Sequence, residues 1–300
     1  PPAVAISTPS AAALGALTAV EGTANAVIAG HLRTELKIST GAGVGARYWT
    51  AGSSWTANEF WITPTKLGSS SWTYTVPAGL FNGDASLTEY TLIARTLDYA
   101  GNYSSAYSTK TFIHDDAAPS AAIGFPVAGG FYNGAGLAAS SGTVSDISNG
   151  NTGITDVRII LKRLDPPIGY WRQSDNAFPP GIQRSTVTIY ASSWTVAAPL
   201  LVSNVDYQIW VEATDGAGNV LWANGAANSA AADTDVGNNT GGVPFLYDND
   251  APVSVTTAPA SGAYRNSQIS AILGSSLDGL NSAGLLTSAG DQFRFRLSRS

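Results

Sequence analysis

Residues 205–220 read VDYQIWVEATDGAGNV. The first part alternates. Tyr207, Ile209, Val211 and Ala213 fall on one face, and Gln208, Trp210, Glu212 and Thr214 on the other. A period of two sustained in this way specifies a half-buried strand. The stretch Asp215-Gly-Ala-Gly-Asn219 then supplies residues that tolerate positive φ, as a tight hairpin turn demands. A near copy, EYTLIARTLDYAGNY, occupies residues 89–103, with Tyr90, Leu92, Ala94 and Thr96 on the matching face. The reading predicts that Tyr90, Leu92, Tyr207, Ile209 and Val211 are buried and that Arg95 and Glu212 are largely exposed.

Asp98 and Asp215 are 117 residues apart, which is the size of a domain. Other pairs repeat in the same order. Gly22-Thr23 is echoed by Gly142-Thr143, Tyr48-Trp49 by Tyr170-Trp171, and the Ser-Ser-Trp ending at Trp72 by the one ending at Trp194. HDDAAP, ending at Pro119, is echoed by YDNDAP, ending at Pro252. An ordered set of echoes is the signature of internal repeats. It divides the chain into units 1–117, 118–250 and 251–300. The third unit has its own Ala-Pro start, a GSSLD echo of GTVSD, and the strand-like DQFRFRLSRS. It lacks the later signals, so the reading expects the natural chain to continue past Ser300.

Further strands are predicted at 32–39, 71–76, 157–164 and 185–196, separated by turn-rich FNGD, NGNTG, DPPIG and PPG. The Ala-rich stretch near residue 11 comes nearest to a helix, and Gly15 interrupts it. Several short strands per unit make the fold class all-β, with each unit a β-sandwich. In that arrangement Tyr90 and Tyr207 sit where a tyrosine corner opens the penultimate strand.

Composition narrows the function. Charged residues are only 12% of the chain, and the net charge is −6. Nothing concentrates cations for a nucleic-acid backbone. No cysteine is present, which removes disulfides, thiol catalysis and cysteine-based zinc sites. The run AAALGALTAV is too short for a membrane span of about 20 residues. Neither His31 nor His114 stands in a metal or triad spacing, and His114 beside a junction reads as a surface or hinge residue. GAGVGA at 41–46 lacks the spacing of a dinucleotide fingerprint.

The order Ala-Pro, SGTVSD, strand, Tyr-Trp, Trp, Tyr-x-apolar-x-apolar and Asp-x-Ala-Gly-Asn resembles the tandem bacterial immunoglobulin-like (Big-type) repeats of large secreted and surface proteins. The resemblance covers the first two units and the front of the third. It implies immunoglobulin-like sandwiches outside the cell or on its surface, with a spacer, adhesive or filament-building role and no catalysis. It implies neighbouring repeats, and copies of the chain in a fibre or surface layer, as partners.

One metal set is expected. In an immunoglobulin-like topology the entering linker, the second-to-third-strand loop and the last hairpin share one end. That brings Asp115 or Asp116, Asp146, Asp215 and Asn219 together, an oxygen-rich set suited to calcium. The competing reading is that Asp215 and Asn219 satisfy only their own turn. Unit one lacks an acid at the position of Asp146. Asp248 and Asp250 make the second linker acidic as well. A second functional reading treats Trp49, Trp55, Trp61 and Trp171 as a glycan-binding platform in a carbohydrate-binding module array, against simple burial of those rings.

Overall fold

The computed structural model describes residues 1–40, 45–52, 54–81, 88–146, 152–222, 236, 241–259 and 271–277. Its elements are strands, numbered here in chain order. One four-stranded sheet runs β1 (Ala3–Thr8), β3 (Ala19–Asn25), β8 (Ser71–Thr75), β7 (Thr65–Leu67). Facing it is a six-stranded sheet ordered β2 (Ala13–Leu14), β10 (Ser108–His114), β9 (Thr88–Asp98), β4 (His31–Thr40), β5 (Arg47–Trp49), β6 (Trp55–Thr56). The pattern recurs. β11 (Ser120–Phe125), β13 (Ala139–Ser145), β18 (Ser193–Ala197) and β17 (Thr188–Ile189) form the second small sheet. The second large sheet is β12 (Gly130–Tyr132), β21 (Val243–Tyr247), β19 (Val205–Asp215), β14 (Ile154–Arg163), β15 (Gly169–Tyr170). In that sheet β16 (Ser185–Thr186) adds to β14 and β20 (Val220–Leu221) to β19. A last sheet pairs β22 (Val253–Ala258) with β23 (Leu273–Leu277).

These are tandem immunoglobulin-like β-sandwiches. In each, the first strand's continuation crosses to the other sheet and pairs in parallel with the last, β2 with β10 and β12 with β21. The Ala-rich stretch near residue 11 is this crossing and not a helix. Each sandwich encloses its own core. The first gathers Val20, Trp49, Trp72, Leu36, Ile38, Tyr90, Leu92 and Phe112; the second gathers Val144, Trp171, Trp194, Val157, Leu161, Tyr207, Ile209 and Phe245. The five core residues expected from the alternation are buried. The Val202 amide donates to Tyr207 Oη at 2.9 Å, the upstream backbone bond of a tyrosine corner. The segment 185–196, read as one strand, is three short ones. GAGVGA (apart from its last two residues) and DQFRFRLSRS lie outside the described residues.

The repeated Gly-Thr and Ser-Ser-Trp have one cause. Gly22 lies opposite Trp72, and Gly142 opposite Trp194. A Cβ on Gly142 would fall 2.7 Å from the Trp194 indole and collide with the Ala122 carbonyl oxygen. Gly22 stands in the same relation to Trp72 and Ala5. The large ring fills space that only the missing side chain leaves open.

Two exposure expectations fail. Glu212 is only 5% exposed. The outer face of β14 and β19 is covered by Tyr170, Ile182, Trp222 and Val236, which pack on Ile160 and Trp210. Arg184 closes over Glu212 with bonds of 2.7 and 3.2 Å. The Arg95 side chain is 23% exposed. Its guanidinium lies 4.0 Å from the Trp61 ring centre and 4.6 Å from that of Tyr103, and it pairs with Glu35 at 2.7 Å. Glu35 faces Arg95 across the first large sheet, whereas Arg158 faces Glu212 at the equivalent place in the second.

Truncation of Trp194 to alanine should cost about 3–5 kcal/mol, as for large aromatic core residues. Gly142→Val should cost about 1–3 kcal/mol or more by overpacking. Urea titration monitored by intrinsic fluorescence reads both. A pH dependence also follows. Burial, with help from Lys66, holds the His31 imidazole below its ordinary 6.5, and burial does the same to His114 against the opposing pull of Asp116 and Asp115. The folded state therefore binds these protons less tightly than the unfolded one. Their contribution is complete above pH 6.5 and is lost as pH falls below it. Melting temperature should drop between pH 7.5 and 5.5, and less steeply in His31→Gln.

Candidate functional site

The two sandwiches meet where β10 runs out. Asp115 N donates to Leu14 O at 3.0 Å, which pins the start of the linker to β2. The hairpin after β19 reaches back to the same place. Gly15 N donates to Ala217 O at 3.1 Å, and Asn219 Nδ2 donates to Asp115 O at 2.7 Å. A Cβ on Gly15 would lie 2.5 Å from Asn219 Oδ1, so the close approach requires glycine. The loop after β13 completes the arrangement. Thr152 Oγ1 donates to Asp115 Oδ2 at 2.9 Å and accepts from Ala217 N at 3.1 Å.

Asp115, Asp146 and Asp215 converge here. One carboxylate oxygen of each lies within 4.8 Å of the other two, and the residues are 1%, 6% and 2% exposed. Asn219 sits beside them, also buried, donating to Asp215 Oδ2 at 2.9 Å. Asp116 does not join. It is exposed. Backbone amides orient the carboxylates. Gly153 N donates to Asp146, Ala117 N to Asp115, and both Ala217 N and Asn219 N to Asp215.

The donor set is all oxygen, and its charge is concentrated. Two unit charges about 4.8 Å apart repel by about 3 kcal/mol at an effective dielectric of about 20. Among the described residues neither Asp115 nor Asp215 takes part in an ion pair. A hard divalent cation fits this chemistry: calcium takes 6–8 oxygen ligands from carboxylates, amide oxygens and water. The equivalent turn in the first sandwich provides a comparison. Asn102 N and Nδ2 both donate to Asp98, at 2.8 and 3.1 Å, reproducing the turn bonds of Asp215. Ala26 stands at the position of Asp146, and no acid triad forms there among the described residues. The turn therefore accounts for Asp215 and Asn219, but not for the burial of Asp146 and Asp115 next to them. Sequence reading missed Gly15 and Thr152, because their roles depend on a contact between sandwiches that leaves no local pattern.

Trp49 and Trp171 are core residues, each 3% exposed, and offer no ring face to a sugar. Trp49 Nε1 donates to Tyr74 Oη, and Trp171 Nε1 to Asn176 Oδ1. Trp55 packs against the first core and Trp61 against Arg95. His114 stacks on Phe81 at 4.8 Å and is half-buried. Among the described residues, no helix is long and apolar enough to cross a membrane.

No protein-family model and no curated protein matches the chain. Among solved structures it is similar to the fibronectin(III)-like modules of Clostridium thermocellum CbhA, at 12% identity and TM-score 0.35, over 82% of this chain and 95% of that one. It is similar to a tetra-tandem repeat in the extending region of a large adhesion protein, at 14% identity and TM-score 0.28, over 87% and 52%. A third similarity is to a 1.5-MDa bacterial ice-binding adhesin, at 10% identity and TM-score 0.32, over 85% and 68%. Likeness at this level carries no argument about function.

Gly15→Val should push the hairpin off β2 and loosen the joint while leaving both cores intact. The expected readout in small-angle scattering is a broader distance distribution, with unchanged circular dichroism. An unchanged scattering profile would show that the Gly15 contact does not set the angle.

Proposed function

We propose that the chain is a non-catalytic, load-bearing segment of a long extracellular bacterial protein, divided at 117/118 and 250/251, and that calcium stiffens its first joint. It serves as a spacer, adhesin stalk or fibre-forming subunit. The observation that supports this reading is the interlock at Asp115. A linker that merely tethers two domains leaves them free to move. Here the second sandwich instead grips the first at two places, Ala217 at Gly15 beside β2 and Asn219 at Asp115 in the linker. The low fraction of charged residues favours lateral association, because few like charges resist contact between neighbours.

Asp115, Asp146 and Asp215 would hold the cation, with Thr152 and the Asn219 amide as neighbouring polar groups. A bound calcium would neutralise the buried carboxylates and tie together the linker, the loop after β13 and the hairpin after β19. Sites in extracellular modules bind calcium in the range of about 10⁻⁴–10⁻³ M. At roughly a hundredfold excess over the dissociation constant, binding adds about 2.7 kcal/mol to stability.

The test is calorimetry and scattering on the intact chain. Millimolar calcium should raise the melting temperature of the second sandwich and narrow the distance distribution, and chelator should reverse both. Asp146→Asn should remove the calcium response without removing the fold. Identical melts and profiles with calcium and with chelator would leave the turn-only account of Asp215 and Asn219 in place.

A further inference from the structure

The chain leaves β12 through Asn133-Gly134, and both residues are exposed. This is the place that Gly15 holds in the first sandwich. Leu14 O accepts from Asp115 N, and Tyr132 O accepts from Asp248 N, so the residues that follow, Gly15 and Asn133, are counterparts. An asparagine followed by glycine carries a reaction of its own. The backbone nitrogen of the second residue can attack the side-chain amide of the first, and glycine has no Cβ to hinder the approach. Two contacts bear on that reaction in opposite directions. Gly136 N donates to Asn133 Oδ1 at 2.8 Å, which stabilises negative charge on this oxygen when a nucleophile adds to Cγ. Gly134 N, the nucleophile, donates to Asn249 Oδ1 at 3.0 Å. While that bond stands, the N–H proton is held and the nitrogen faces the linker. A Cβ on Gly134 would lie 3.2 Å from Tyr247 Oη and 3.3 Å from Asn249 Oδ1, so the linker closes directly over this glycine.

We propose that Asn133 is a site of spontaneous deamidation, gated by Asn249 of the second linker. Gly134 N gives its proton to solvent base and bonds to Asn133 Cγ. The Cγ–Nδ2 bond breaks, and Nδ2 takes a proton from water and leaves as ammonia. The five-membered succinimide then takes up water and opens at either carbonyl, to aspartate or to isoaspartate. The sequence of steps is redox-neutral and consumes only water. Its product places a carboxylate beside Asp248 and Asp250, which Ser203 and Asn204 hold from the other side at 3.2 and 2.6 Å. Like charges there repel. The isoaspartate form also lengthens the main chain between β12 and Gly134 by one carbon. Each change loosens the linker bond that had delayed the reaction, so the conversion runs one way. The proposal stands apart from the calcium reading.

The test incubates the intact chain at mildly alkaline pH, where solvent base is plentiful, and maps its peptides by mass spectrometry. The readout is the mass gain of amide-to-acid conversion at Asn133, resolved from the other Asn-Gly pairs at Asn82, Asn149 and Asn224. The same chain in urea gives the ungated rate, and the native chain should be slower. Asn249→Ala should raise the native rate at Asn133 about fivefold, the weight of one neutral hydrogen bond. Asn249→Asp keeps an acceptor oxygen and should leave the rate slow. Asn133→Asp, which mimics one product, should speed hydrogen exchange at the Asp248 and Asp250 amides. Circular dichroism verifies that each variant is folded. The proposal is overturned if Asn133 converts in urea but stays an amide in folded Asn249→Ala. It is equally overturned if the native chain and Asn249→Ala convert at one rate, or if exchange at Asp248 and Asp250 is unchanged in Asn133→Asp.

Discussion

The structure depends on a steric exchange between neighbouring strands: the space left by a missing Cβ is filled by an indole. Gly22 with Trp72, and Gly142 with Trp194, join the bulged edge of each small sheet to its centre. The bulge brings a carbonyl oxygen over the glycine from one side, and the ring closes the other. With the small sheet fixed, its tryptophan can project into the core and meet the apolar faces of β4 and β9, or of β14 and β19. The large sheet in turn sets where the last hairpin emerges, and the hairpin's position is what the joint uses.

The joint shows how a turn becomes a contact. The same five-residue hairpin exists in both sandwiches, with the same aspartate accepting from the same asparagine. In the second the asparagine also reaches the linker that precedes its sandwich. The surroundings of the two hairpins differ. Tyr99 in the first hairpin is replaced by Gly216 in the second, and Gly216 N donates to Gly153 O as Tyr99 N does to Gly30 O. A glycine leaves room for Thr152 to close on Asp115; a tyrosine would occupy it.

Much of this was legible in the sequence, for identifiable reasons. Strand alternation in VDYQIWVEA located the core face because one side of that strand does meet the other sheet. It failed for Glu212 because the opposite side is covered by a second apolar layer, contributed by residues far away in the chain such as Tyr170 and Val236. Periodicity within one strand carries no information about that layer. The acidic positions could be read from topology, since three loops at one end of a sandwich must be close. Which of Asp115 and Asp116 turns inward could not, because that depends on contacts with Leu14, Thr152 and Asn219, which are distant in the sequence. Gly15 was read as a helix breaker, whereas its small size is needed for contact with the next sandwich.

The reversed charge pair has a consequence for the order in which the chain acquires its shape. Adjacent repeats with similar strands are prone to exchange them while folding, and such misassembly is a characteristic failure of repeat proteins. Suppose β4 were to pair with β19 in place of β9. Glu35 would then face Glu212. The complementary hybrid, β14 against β9, would set Arg158 opposite Arg95. Like charges directly opposite on a sheet are destabilising, so each wrong pairing carries a penalty that the right ones avoid. The swap of sign between two otherwise parallel repeats thus acts as an address label, which lets a nascent sandwich reject its neighbour's strand.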